Sequence, residues 1–199
     1  MVAEEPTHRS LTDYSFRDPE HRRFTDLWND ARGDDPMPTR ESFPIIKLTD
    51  LADTLVIMRI DDTRPGHVIY SGLLAVERWG VGKLGKQVQE VMPPNFVTTW
   101  LDIVRKLNQR PCAVFAEMGF DRGEEKHVDS TGLYLPVVND ITHGLYLYTI
   151  TLPFKLDRKP GVDGKGTEVW CRMTALDIGL GTPFETEEFH TVDAPMARS

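Results

Sequence analysis

Between Asp53 and Leu152 the hydrophobic period of the chain changes twice, from two to about 3.6 and back to two. That switch constrains the fold, because period two marks strands and period 3.6 marks amphipathic helix. Asp53 to Ile60 and Gly66 to Ser71 read as strands joined by the Asp-, Pro- and Gly-rich turn Asp61 to Gly66. Ser71 suits the start of a short helix that stops at Trp79-Gly80, and Gly80 to Pro94 is irregular. Asn95 to Asn108 is the longest helix of the region, with Phe96, Trp100, Leu101, Val104 and Leu107 on one stripe. Three more strands come after it, Pro111 to Met118, Val128 to Val138 and Leu145 to Leu152, the last rich in aromatic and β-branched residues. The expected fold is α+β: a five-stranded antiparallel sheet with helices across one face, an N-terminal helical extension and a C-terminal tail.

The first strand carries a further demand. Val56, Met58 and Ile60 lie on one side by alternation, and Leu55 and Ile57 make the other side apolar too. Something must cover that second side. A helix with good punctuation precedes it: Asp18 suits the N-cap, Pro19 the first turn and Gly33 the C-terminal stop. Its apolar stripe is Phe24, Leu27, Trp28 and Ala31. The stripe either covers the outer sheet face of its own chain or meets its copy in a homodimer. Pro44 to Leu51 suits a short second helix.

The chain of 199 residues thus divides into a mobile lead (1–17), an N-terminal helical segment (18–52), a sheet core (53–155) and a linker with a C-terminal extension (156–199). Asp157 to Gly166 is a linker by composition. Thr167 to Ile178 is too apolar for a solvated tail, and it packs back on the domain or on a partner through Trp170 and Met173. Gly179 to Ser199 is expected to be mobile. A net charge of −8 opposes the phosphate backbone, so no nucleic-acid partner is expected. No apolar run approaches a membrane span and Met1 to Phe16 lacks a signal-peptide core, so a cytoplasmic location is expected.

Sequence motifs for chemistry are weak. Gly80-Val81-Gly82-Lys83-Leu84-Gly85 spells GxGxxG, but a short helix precedes it and Pro93-Pro94 breaks the stretch after it. A dinucleotide fingerprint needs a strand before it and a continuous helix after it, so turn geometry is the better account. The six histidines form no metal-binding pair, and the long helix carries no histidine for a haem. Asp61-Asp62 and Glu124-Glu125 lie in turns, and no nucleophile elbow occurs. Cys112 and Cys171 form no CxxC pair and read as reduced thiols or, less simply, a redox switch. No catalytic residue or metal site is assigned, and no cofactor is favoured. Periodicity instead turns Met58, Ile60, Trp79, Met92, Phe96, Trp100 and Leu135 toward an apolar space between sheet and helices, with Met and Trp as adaptable walls. The alternative is a filled core.

The order of these fragments resembles the PAS domain family, and within it the divergent alphaproteobacterial branch of small stand-alone PAS proteins. The residues that carry the likeness are Trp28 with Ala31-Arg32, Met37-Pro38-Thr39-Arg40, the first strand, Tyr70-Ser71-Gly72, Trp79-Gly80, Gly85-Lys86 and Leu133-Tyr134-Leu135-Pro136. The resemblance spans roughly residues 20–153. It implies a sensor or adaptor in bacterial signal transduction, commonly dimeric, that works through a small ligand or a protein partner and has no output domain of its own. The flavin-binding Asn-Cys-Arg-Phe-Leu-Gln pattern is absent, which disfavours a light sensor. The alternative function is a barrel-like α+β domain that binds, or acts as an enzyme on, an apolar small molecule.

Overall fold

A computed structural model describes residues 9–60, 65–74, 76, 84–87, 90, 94–120, 128, 130–153 and 168–192. Helix α1 (Pro19–Arg32) begins and ends where its punctuation places it. The Asp18 carboxylate accepts the Glu20 N–H at 2.8 Å, and Gly33, at φ 56°, donates its N–H to the Asn29 carbonyl at 3.2 Å. A 3₁₀ helix (Ile45–Leu51) comes next, tied to α1 by an Arg23–Asp50 ion pair. Strands β1 (Leu55–Ile60) and β2 (Pro65–Ser71) lie after it, then helix α2 (Pro94–Gln109). Strands β3 (Ala113–Phe120), β4 (Ser130–Val138), β5 (Leu145–Pro153), β6 (Glu168–Leu176) and β7 (Thr186–Val192) complete the order.

All the strands join one antiparallel sheet in the order β2-β1-β5-β4-β3-β6-β7. The five expected strands are contiguous within it. Two more follow: β6 from within Thr167 to Ile178, the segment expected to pack back on the domain or on a partner, and β7 from the stretch expected to be mobile. Trp170 and Met173 belong to β6, which pairs along the whole of β3 from Ala113↔Leu176 to Phe120↔Val169. Without β6, strand β3 would expose an unpaired ladder, and β7 in turn pairs β6 from Glu168↔Val192 to Thr174↔Thr186. Acidic residues at Glu185, Glu187 and Glu188 disguise this last strand as a solvated tail. The linker expected at 157–166 lies outside the described residues.

The alternation of β1 divides the core. Leu55 and Ile57 join Leu133, Leu135, Ile150 and Tyr148 in one cluster with Phe24 and Trp28 of α1 and with Phe43, Leu48 and Leu51. Met58 and Ile60 join Val114, Leu147 and Met173 in a second cluster with Trp100, Ile103, Val104 and Leu107 of α2. Helices therefore cover both faces rather than one, because the sheet is apolar on both. The expected mobile lead also needs correction. Leu11 and Phe16 are buried in the first cluster, and Leu11 donates its N–H to the Asp177 carbonyl at 2.9 Å. The segment from Ser10 onward thus fills the end of the α1 face that the helix itself does not reach.

Trp28 fixes how α1 sits. Its indole N–H donates to the Pro136 carbonyl at 2.8 Å, inside a side chain that is fully buried. Nearby, Thr39 bridges to Val138, and the Arg40 guanidinium lies 4.6 Å from the centre of the Tyr146 ring. The fragments Trp28, Pro38-Thr39-Arg40 and Leu133 to Pro136, distant in sequence, meet on this one face.

The β2 edge is closed locally. Gly85, at φ 77°, donates to the Val68 carbonyl at 2.9 Å, and Val68 donates back to the Lys86 carbonyl at 3.1 Å. The described end of the GxGxxG stretch is therefore a turn laid along a sheet edge; Gly80 to Lys83 lie outside the described residues. At the other end of β2, Gly72 donates to the Leu55 carbonyl at 2.8 Å. A Cβ there would stand 2.0 Å from the Ala52 carbonyl oxygen and 2.5 Å from that of Asp53, both backbone atoms. Gly72→Ala is expected to push the hairpin off the 52–54 turn and to cost about 3 kcal/mol, measured by urea unfolding.

His21 is 1% exposed on α1, edge-on to Phe115 with 5.5 Å between ring centres and 5.8 Å from Phe16. Burial pushes its imidazole down from 6.5 to about 4, against a smaller upward pull from Asp18. The folded chain keeps the ring neutral, whereas the unfolded chain protonates it near its ordinary value. Between those values the unfolded state binds the extra proton, so stability is full above that range and falls as pH drops through it. His21→Leu is expected to remove about 3 kcal/mol of acid sensitivity between pH 7 and pH 4, read as the difference between the two proteins' urea midpoints.

Candidate functional site

The α2 face of the sheet is built in rungs. On the level of β1 Val56 stand β5 Thr149, β4 Tyr134 and β3 Val114, paired in that order across the strands. On the adjoining level lie Met58, Leu147 and Pro136. One level the other way lie Thr151, Gly132 and Ala116, and beyond them Ser130 pairs Met118. Helix α2 crosses above, and its Trp100 ring lies 5.7 Å from the Tyr134 ring at a tilt of 47°. Gly132 makes room for that arrangement: a Cβ there would stand 3.2 Å from the edge of the Tyr134 ring.

This face is mostly apolar, yet it holds polar atoms with no hydrogen-bond partner in the chain. Trp100 Nε1, Thr149 Oγ1 and Ser130 Oγ are all buried and unpaired. The side chains that carry them are 2%, 2% and 0% exposed. Leaving such a group unpaired costs about 1–3 kcal/mol, so a folded protein rarely keeps several together without a use for them. On the opposite face the indole N–H of Trp28 is paired, whereas His21 Nε2 is buried without a partner.

Among the residues that periodicity turns toward an apolar space, Met58, Ile60 and Trp100 are brought together on this face. Leu135 is not. It lies in the α1-side cluster, because β4 alternates and Tyr134 takes the α2 side. Trp79 and Met92 lie outside the described residues, as does the side chain of Phe96. Thr149, Ser130 and Tyr134 are the additions that sequence reasoning missed. A threonine or serine at an inward strand position was their available signal, and it is masked by how common both residues are in strands.

The residues assigned to interfaces are occupied within the chain. Phe24 and Trp28 are fully buried, and Leu27 and Ala31 pack against the same cluster. The stripe that suggested a dimer contact is the cover that the Leu55–Ile57 side required. Trp170 and Met173 are 2% and 3% exposed inside β6, which packs on its own sheet.

Burial pushes the Cys112 and Cys171 thiols up to about 12, so both stay protonated and unreactive at neutral pH. Among the described residues no three His, Cys, Asp or Glu side chains are grouped to hold a metal ion, and no helix is long and apolar enough to cross a membrane. A surface cleft of about 230 Å³ lies on the other face, between α1 and the turn after β6, with Arg32 and Asp177 in its lining. Its charged groups serve local structure. Asp177 accepts the N–H groups of Gly179 and Gly181 at 2.8 Å, and Arg32 donates to Asn29 Oδ1 and the Asp35 carbonyl.

Comparison of the chain with protein-family models, with curated proteins and with solved structures finds no match.

Thr149→Val keeps the shape of the side chain and removes an unpaired hydroxyl. It is expected to leave the ligand-free protein as stable as before or about 1 kcal/mol more stable, measured by thermal unfolding. A loss above that size would mean that the hydroxyl has a structural partner.

Proposed function

We propose that this protein is a PAS-type sensor or adaptor that binds a small molecule between α2 and the sheet. The observation that carries the reading is the group of unpaired buried polar atoms on that face, Trp100 Nε1, Thr149 Oγ1 and Ser130 Oγ. Three such groups on one face are costly to a fold that only fills it, and a ligand that pairs them would recover that cost. Two features of the fold support the family part of the reading. The five strands on which the resemblance rests are contiguous in the sheet, as β2-β1-β5-β4-β3, with α2 packed across them. Trp28 and Thr39, from two of the fragments that carry the resemblance in sequence, both reach β4, Trp28 through its hydrogen bond to Pro136 and Thr39 through its bridge to Val138.

Signalling in this reading passes from the ligand to α2 and from α2 to its neighbours. Lys106 of α2 donates to Glu187 of β7 at 2.9 Å and lies 5.8 Å from the Phe184 ring. The β6–β7 extension is thus attached to the helix that covers the ligand, and it offers a protein partner a surface beyond the five-stranded core.

Native mass spectrometry of the purified chain tests the proposal. The expected outcome is a mass above that of the polypeptide, with the excess released as a small molecule on denaturation and no visible absorption band. A bare polypeptide mass, together with a thermal midpoint unmoved by the small-molecule fraction of a cell extract, would count against ligand binding.

A further inference from the structure

We infer that the ligand of the α2 face is an uncharged molecule with an apolar body and a hydrogen-bond acceptor that meets the indole N–H of Trp100. This rests on the small-ligand reading above and adds the chemical class. An indole nitrogen only donates, so whatever satisfies Trp100 Nε1 must accept. Its neighbours set the rest. The Trp100 ring lies on Tyr134, which is level with Thr149, and the hydroxyl of Thr149 either donates or accepts. Val56 stands on that level of β1 and Met58 on the next, and both supply apolar contact.

The described surroundings of the site offer no buried counter-charge. Among the described residues no Asp, Glu, Lys or Arg is buried, on this face or the other. A carboxylate or ammonium placed there would be buried without a counter-charge, which is far costlier than burying a carbonyl that receives one hydrogen bond. The acceptor is therefore a neutral oxygen, such as a ketone, ester or amide carbonyl.

The test compares three probes on the uniformly ¹⁵N-labelled full chain: 2-octanone, its shape-matched alkene 2-methyl-1-octene, and octanoate. The readout is the indole N–H resonance of Trp100, assigned by its loss in Trp100→Phe. The ketone is expected to move that resonance saturably and to bind about tenfold more tightly than the alkene, the size of one good hydrogen bond. Octanoate is expected to bind no better than the alkene. In Trp100→Phe, followed through the backbone amide resonances of Val56 and Thr149, the ketone should lose its advantage while the alkene binds as before. The comparison of ketone with alkene on the unaltered chain stands by itself if the variant does not fold.

Equal binding of ketone and alkene would overturn the acceptor assignment and leave the small-ligand reading intact. Tighter binding of octanoate would overturn the neutral assignment in the same way. Binding of none of the three, alongside a retained small molecule in the native mass, would show the class to be wrong. Binding of none, with no retained molecule, would mean that water alone satisfies Trp100, and both readings would fall.

Discussion

A sheet that is apolar on both sides must be covered on both sides, and most of this structure is a response to that requirement. Leu55 and Ile57 cannot face water while Met58 and Ile60 face a helix, so the chain provides two covers. Helix α1, the 3₁₀ helix and the segment from Ser10 to Phe16 form one, and α2 forms the other. The covers differ in chemistry. The α1 side is closed by aromatic contacts, Phe43 stacked on Tyr148 at 5.6 Å and Phe24 at 6.1 Å from Phe43, and by the Trp28–Pro136 hydrogen bond. The α2 side keeps three polar atoms without partners, Trp100 Nε1, Thr149 Oγ1 and Ser130 Oγ, where the α1 side keeps His21 Nε2.

Much of this division is legible in the sequence. The caps of α1 at Asp18, Pro19 and Gly33, the alternation of β1 and the stripe of α2 each obey a local rule, and local rules survive in the fold. The features that are not legible depend on pairing at long range. Strand β7 looks acidic and mobile until β6 lies beside it, when Arg172 meets Glu188 at 3.1 Å and Glu117 at 3.7 Å. Leu135 lies on the opposite face from the expected one because a single apolar run, Leu133 to Val138, fits either phase of the alternation. Tyr134 decides the phase by packing on Trp100. Of the candidate site, the apolar wall is visible in sequence and the hydroxyls are not. Threonine in a strand signals β-propensity far more often than it signals a ligand.

The chain also shows how tight turns preserve a sheet edge. Strand β2 bulges twice against β1, between Ile57 and Met58 and between Arg59 and Ile60. The bulges twist the hairpin, and the turn around Gly85 then supplies hydrogen bonds that the bent edge would otherwise offer to another chain. At the opposite edge β7 has no such cover among the described residues, and its acidic side chains serve as the deterrent to edge pairing.

Lys106 stands between two acids, Asp102 on its own helix at 2.8 Å and Glu187 on β7 at 2.9 Å. Asp102 moves with the helix; Glu187 does not. A small slide of α2 would leave the first contact intact and weaken the second, so this ammonium group works as a position gauge for the helix. The gauge stands at the protein surface, where dissolved salt competes for the same charges. The tie between the last strand and the helix is therefore looser in concentrated salt, while the ladder to β6 holds the strand itself in place.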